Sequence, residues 1–315
     1  MRVNPFFLPF AIPTSERKIH FKDSLVFTGS CFSTEIAKCF TNSGFHVIHN
    51  PFGTTFNPIS IANQLIKSID LDENIHYLKT KERFYDWESA NTISRSSADD
   101  LANFLTKSRN DLREKISKAS FLFITFGSAI AYTLKENNLV VANCHKQPAQ
   151  LFSKELIPLD ELQILWASTI KKIKALNPSI TICFTISPVR HIKDGIIENN
   201  RSKARLFELV SYLEKMENVS YFPSYEIVLD ELREYRFFKV DRIHPNQEAI
   251  NYIWERIGEV YFSKATIEMI AKIHSVRKAE QHVLIDPESQ DSRNHLEETK
   301  RRKNELTFLE PSINW

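Results

Sequence analysis

The sequence predicts an α/β protein: a three-layer α/β/α, flavodoxin-like domain on a five-stranded parallel sheet, followed by a helical C-terminal extension. Three observations predict it. Short β-rich runs alternate along the sequence with longer helical patterns. Most of the short runs are apolar without a break, as strands buried on both faces must be. The composition, 315 residues with 42% apolar and 25% charged, is that of an ordinary globular protein able to enclose a sizeable core without staples.

Taken in order, LVFT at 25–28 is the first strand and a helical pattern over 33–41 follows it. FHVIH at 45–49 precedes a helix over 59–69, and a helix over 98–118 leads into FLFITF at 121–126. ITICFTI at 180–186 lies between helices over 158–176 and 201–216, VSYF at 219–222 is the fifth strand, and a helix over 246–260 ends the alternation. That last helix shows its period plainly. Ala249, Ile250, Ile253, Trp254 and Ile257 fall on one face, and Pro245 stands where a first turn tolerates it. In such a sheet the ligand crevice lies beyond the carboxyl ends of the strands.

Two regions stand apart. Residues 70–97, with His76, Tyr77, Phe84, Tyr85 and Trp87, read as an inserted loop or lid. Tyr85 and Trp87 are able to stack on a sugar ring, although packing within a lid is the commoner fate of such aromatics. Residues 264–315 read as a charged helical extension of a catalytic domain spanning 1–263. The TKRRK run at 299–303 is flanked by Glu297, Glu298 and Glu305, which makes it a solvated helix face.

Charge excludes some partners. Lys and Arg number 41 against 39 Asp and Glu, so no field points to nucleic acid or an anionic membrane. The opening MRVNPFFLPFAIP is interrupted by Pro5, Pro9 and Pro13 and lacks the pattern of a signal peptide, and no run approaches the ~20 apolar residues of a membrane span. Cys31, Cys39, Cys144 and Cys183 have no metal-ligand spacing. Reduced thiols, a cytoplasmic location and no metal or cofactor are the expectation.

Two short segments carry chemistry. In LVFTGSCFSTEIAKCF a strand turns through Gly29-Ser30-Cys31 into a helix. A nucleophile there would meet the helix N-terminus, whose dipole and free N–H groups lower a thiol below its free value of ~8.5 and suit an oxyanion. Alone, Cys31 is as readily a small buried hydrophobe. In VDRIHPNQEAI, Asp241 and His244 precede the last helix of the alternation. A carboxylate on one imidazole nitrogen fixes the tautomer and frees the other nitrogen to take a proton. An Asp cap beside a surface His is the bland alternative. Only six glycines occur, and Gly29, Gly53 and Gly127 all lie near these segments. A nucleophile on the first strand with Asp and His near the last helix differs from the mid-sequence G-x-S-x-G elbow, whose final glycine Ser33 replaces.

The blocks GSCFS at 29–33, NPFGTTFNP at 50–58, FGSAIAY at 126–132, VANCHK at 141–146, SPVRHIKDG at 187–195 and NNRSKARL at 199–206 occur in order. Together they resemble the GSCFA family, over about residues 25–260. That family is related to the SGNH (GDSL-like) hydrolases, so the resemblance implies an SGNH-type α/β/α fold and ester-bond chemistry. It places Cys31 at the nucleophile position, with Ser30 in the place of the usual Asp and as the alternative nucleophile. It makes Gly53 an oxyanion N–H, and Asp241 and His244 the acid and base. Where the superfamily has G-x-N-D, the residues here are Gly127-Ser128-Ala129-Ile130, without the asparagine donor. Asn143 and His145 are the candidate replacements, or are polar residues satisfied in a turn. Ser128, Arg190 and His191 are the candidate substrate-binding residues, with a surface salt bridge the plainer reading of Arg190. Three functions remain open on a small-molecule acyl substrate, such as an acylated carbohydrate: an ester hydrolase, an acyltransferase with the same covalent intermediate, and a binding module whose chemistry has lapsed.

Overall fold

The computed structural model describes residues 7–283, 286 and 289–315. The first six residues of the apolar N-terminal stretch therefore lie outside the described residues, as do four positions of the C-terminal extension.

The five expected strands form one parallel sheet: β1 (Ser24–Gly29), β2 (His46–His49), β3 (Phe121–Phe126), β4 (Thr181–Ile186) and β5 (Val219–Tyr221). Their order across the sheet is 5-4-3-1-2, the flavodoxin-like arrangement. The order reverses between β1 and β3, where the carboxyl ends of both strands open a crevice. Here Leu25 pairs with Phe121 and Gly29 with Thr125.

Helices cover both faces: α1 (Cys31–Asn42), α2 (Pro58–Asp70), α3 (Ala98–Lys118), α4 (Leu159–Leu176), α5 (Ile196–Leu213) and α6 (Gln247–Tyr261). Alternate residues of the central strands serve two separate cores. Leu25, Phe27, Phe121 and Phe123 pack under α1 and α6, whereas Val26, Leu122, Ile124 and Phe126 pack under α2 to α5. That division explains the unbroken apolar runs, since neither face of β1, β3 or β4 meets water.

Boundaries moved where caps or burial decided them. Helix α6 begins one residue later than its pattern suggested, because the Asn246 carboxamide caps it by accepting from the Ala249 amide. Helix α5 begins at Ile196, five residues before the expected start, with Gly195 at φ +93° entering it.

The insertion is ordered: Tyr77–Thr80, Arg83–Asp86 and Ser94–Arg95 form a small antiparallel sheet. A second excursion, between β3 and α4, builds another from Ile130–Leu134, Leu139–Val141 and Phe152–Leu156. The two excursions share a core of Trp87, Leu134, Val141 and Phe152, so Trp87 is a packing residue and only 7% exposed.

The C-terminal extension forms α7 (Lys264–Glu280) and α8 (Gln290–Leu309). Ile270, Ile273, Val276, Leu306 and Ile313 join the core beneath α1 and α6. The Asn314 amide donates to Gly44 O at 2.8 Å, just before β2 and at the end of the sheet opposite the crevice. Among the described residues no helix is long and apolar enough to cross a membrane.

Candidate active site

Gly29 ends β1 with φ +127°, and a Cβ there would lie 2.1 Å from Thr125 O on β3. Only glycine fits that approach. The Asn50 carboxamide, at the end of β2, accepts from the Gly29 amide at 2.8 Å and donates to Thr34 Oγ1 at 2.9 Å. The turn into α1 is thus held on both sides, and it delivers Cys31 as the first residue of the helix.

Cys31 and the Asp241–His244 pair line one cleft of about 300 Å³. The loop carrying the pair is closed at its base, where Phe238 bridges Pro245 and the Lys239 amide donates to His244 O at 2.7 Å. Asp241 Oδ1 accepts from the amides of Ile243 and His244 at 2.8 and 3.0 Å. Its Oδ2 lies 2.7 Å from His244 Nδ1. Those amide bonds, with the imidazole, hold the Asp241 carboxyl well below the usual carboxylate range. With Nδ1 committed to a carboxylate, Nε2 is the nitrogen left to accept a proton. Among the described residues Cys31 and His244 make no hydrogen bond with each other, so they share the cleft with a gap between them.

The thiol departs from its expected acidity. Burial raises Cys31 above its ordinary value, outweighing the amides of Phe32 and Cys31 itself, which lower it. Glu35 adds to the rise and Lys239 opposes it. The helix N-terminus therefore supplies donors without outcompeting desolvation, and the thiol rests protonated. Ser30, the alternative nucleophile, is 1% exposed, its Oγ has no hydrogen-bond partner among the described residues, and it does not line the cleft of Cys31.

Several other candidates stand elsewhere. The Gly53 amide donates to Asn50 O at 2.8 Å inside a turn, so it is not a free oxyanion donor. The glycine is there because φ is +75° and Ala90 of the insertion lies against it. His145 is turned under the insertion: Nε2 bonds Asp86 O at 3.0 Å, and Tyr85 and Trp87 pack on its ring. Its Nε2 is committed there rather than to an oxyanion, and the buried Nδ1 has no hydrogen-bond partner among the described residues. Asn143 accepts from the His145 amide at 2.8 Å, and its NH₂ has no partner among the described residues. It lines a second cleft of about 430 Å³, together with Ser128, His191 and Tyr132. Ser128 Oγ is occupied by Ser202 Oγ and the Ile130 amide.

Arg190 does not face either cleft. Its guanidinium lies 4.5 Å from the Phe238 ring centre and donates to Arg242 O at 3.2 Å, which braces the loop of Asp241 and His244 from behind. His191 stacks edge-on against Phe56. Burial first, then Lys203, pushes its imidazole down to about 4, against the pull of Asp194, and His244 adds to the fall. It is neutral and lines the second cleft, two residues from Val189, which lines the first.

The sequence reading missed Asn50 and Lys203. Asn50 had a faint signal, a non-glycine in left-handed backbone (φ +41°) directly after a strand, where Asn is favoured. Lys203 falls in register with Leu206, Val210 and Leu213 on the buried stripe of α5, and a lysine in an apolar stripe is itself a signal. Among the described residues no group of three His, Cys, Asp or Glu is placed to hold a metal ion.

Among solved structures, the periplasmic domain of a Salmonella ser. Paratyphi A lipopolysaccharide acetyltransferase is similar at 12% identity, over 75% of this protein and 82% of that one, with a TM-score of 0.35. No curated protein matches. A family model does match, over residues 24–257, from the first residue of β1 into α6. It takes in the Cys31 turn, the Asn50 brace and the Asp241–His244 loop, and on that span, well over half of its length, the protein belongs to the GSCFA family.

Proposed function

We propose that this protein is a thiol-dependent acyl hydrolase acting on ester or thioester bonds of a small acyl substrate. The observation that carries the reading is the single cleft shared by Cys31 and a His244 whose Nδ1 is fixed 2.7 Å from Asp241. His244 Nε2 takes the thiol proton as Sγ attacks the acyl carbon. The oxyanion forms at the N-terminus of α1, where the Cys31 and Phe32 amides are directed at the sulfur. His244 returns the proton to the departing oxygen or sulfur, leaving an S-acyl enzyme, a thioester on Cys31. A water, deprotonated by the same nitrogen, then releases the acid and restores the thiol.

Solvent access favours hydrolysis over transfer. The side chains of His244 and Asp241 are 40% and 43% exposed, so water reaches the base directly. The acyltransferase reading has one observation in its favour: the second cleft, lined by His191 and Asn143, offers room for an acceptor alcohol such as a sugar hydroxyl. In either case that cleft seats the alcohol side of the substrate, with the Asn143 NH₂ as its free donor.

The test is turnover of p-nitrophenyl acyl esters and acyl thioesters by the wild type, Cys31→Ala, Ser30→Ala and His244→Ala. The reading expects loss of turnover in the Cys31 and His244 variants, activity in Ser30→Ala, and an S-acyl adduct on Cys31 by mass spectrometry. Absence of both turnover and adduct in the wild type replaces it with the binding-module reading.

A further inference from the structure

The sheet face beneath α1 and α6 is not completely filled. A cavity of about 20 Å³ remains there, walled by Phe27 and Phe123 of the sheet, Phe32 and Ile36 of α1, and Ile257 and Tyr261 of α6. Its few polar groups are committed elsewhere: the Tyr261 hydroxyl lies 3.1 Å from Cys183 Sγ, and the Thr185 hydroxyl bonds that of Ser224. Thr125 and Thr185 carry the cavity up to the nucleophile turn, since both stand in register with Gly29 across β1, β3 and β4. Among the described residues Phe32 alone lines both this cavity and the cleft of Cys31. Cys31 packs against the same aromatic core.

A tetrahedral acyl carbon on Cys31 Sγ holds three other substituents. Its oxygen belongs at the N-terminus of α1, where the Phe32 amide is directed at the sulfur, and its leaving group belongs beside His244. The acyl substituent takes the third direction. Much of the cleft wall is Glu35, Lys239, Asp241 and His244, charged or polar groups that suit water rather than hydrocarbon. Phe32, Val189 and Ile250 form its apolar side, and the cavity lies behind the first of them. A space of about 20 Å³ holds one group the size of a water or a methyl, and no longer chain.

Taking Cys31 as the nucleophile of the hydrolase proposed above, we propose that this cavity is its acyl pocket, that acetyl is the acyl group it selects, and that Phe32 determines that specificity. An acetyl methyl fills the space beside the Phe32 ring. Each further methylene has to displace that ring or its neighbours in a close-packed core. Phe32 therefore acts twice, through its amide on the oxyanion and through its ring on the acyl chain.

The pocket is read without turnover. Methyl, propyl and hexyl methanethiosulfonates are reacted with the wild type, Phe32→Val and Ile257→Phe, and Cys31 occupancy is followed by peptide mass spectrometry. The Cys31 sulfur attacks the alkylthio sulfur, a disulfide forms and methanesulfinate leaves. With rates normalised to glutathione, the wild type should take the methyl reagent at least about tenfold faster than the hexyl one. Phe32→Val should bring the two reagents within about threefold of each other, because it opens the cleft into the cavity. Ile257→Phe fills the cavity from α6 and should slow the methyl reagent several-fold. A wild-type rate indifferent to chain length overturns the proposal, as does a folded Phe32→Val with an unchanged ladder. So does a folded Ile257→Phe labelled as fast as the wild type, which would make the space a packing void. If neither variant folds, the wild-type ladder decides. Ester hydrolysis is scored apart. Equal turnover of p-nitrophenyl acetate and hexanoate would keep the hydrolase and remove the pocket, whereas a chain-length ladder at Cys31 without turnover would keep the pocket and remove the hydrolase.

Discussion

Asn50 Oδ1 accepts the Gly29 amide at 2.8 Å, so the end of β2 holds the last residue of β1 in the conformation that presents Cys31. The same carboxamide reaches Thr34 one turn into α1. Asn50→Ala removes both bonds and leaves a part-buried amide without its partner, a loss of about 2 kcal/mol. Denaturant unfolding should show that loss, and kcat should fall at least about tenfold as the thiol drifts from its place. Asn50→Asp keeps the acceptor for Gly29 and should retain more of both.

Gly29→Ala tests the same turn more harshly. Its Cβ has nowhere to go, with Thr125 O at 2.1 Å and φ at +127°. Expected is a loss of at least about 3 kcal/mol, seen as a lowered Tm or failure to accumulate soluble protein. A variant as stable as the wild type would mean that β1 and β3 do not approach as described.

Arg190 separates bracing from binding. Arg190→Met keeps an apolar stem over Phe238 but loses the bond to Arg242 O. A brace for the Asp241–His244 loop predicts kcat reduced several-fold with KM nearly unchanged. A rise in KM with kcat preserved would restore the substrate-orienting role that its position in SPVRHIKDG suggested.

Strands β1, β3 and β4 were legible because burial on both faces leaves an apolar run that needs no tertiary information, as in FLFITF of β3. The strand Phe152–Leu156 was not legible. Ser153, Lys154 and Glu155 are exposed, so FSKEL is held as a strand by its pairing with Ile130–Leu134 rather than by its own pattern. The same distinction divides the site. Cys31, Asp241 and His244 were named from local motifs, and they line one cleft because one turn and one short loop set their positions. The Gly53 and His145 assignments failed on facts that sequence does not carry: which carbonyl the Gly53 amide meets, and that Asp86 and Trp87 of the insertion fold over His145.

His191 sets an acid limit. Its folded value, about 4, lies below the ~6.5 of an unfolded imidazole. Between those values the unfolded state binds the proton and the folded one does not. The stability associated with neutral His191 is therefore whole above pH ~6.5 and declines as pH falls toward 4, by on the order of 3 kcal/mol. Stability measured at intervals from pH 7 to 4 should show that slope, and His191→Gln should flatten it. An equal slope in the variant would assign acid lability to other groups.

Asp241 behaves oppositely. Its depressed carboxyl contributes in the ionised form above the ordinary carboxylate range, and that contribution is lost only as pH falls through its lower folded value. Asp241→Asn should lower kcat by about 10²–10⁴ through loss of the tautomer lock, read as steady-state turnover near neutral pH. An unchanged kcat in that variant would mean that His244 does not need its carboxylate partner.

The bonds from Asn314 to Gly44 and Phe45 join residues 270 and 269 positions apart in sequence. Closing so large a loop early would cost much entropy for few contacts. This tie therefore belongs to the end of folding, after β2 has taken its place at the edge of the sheet. Helices α7 and α8 act as a latch set last and, by the same reasoning, opened first. Because the latch sits at the far end of the sheet from Cys31, the protein can breathe there, exchanging its amides and reclosing, without the nucleophile turn losing its shape.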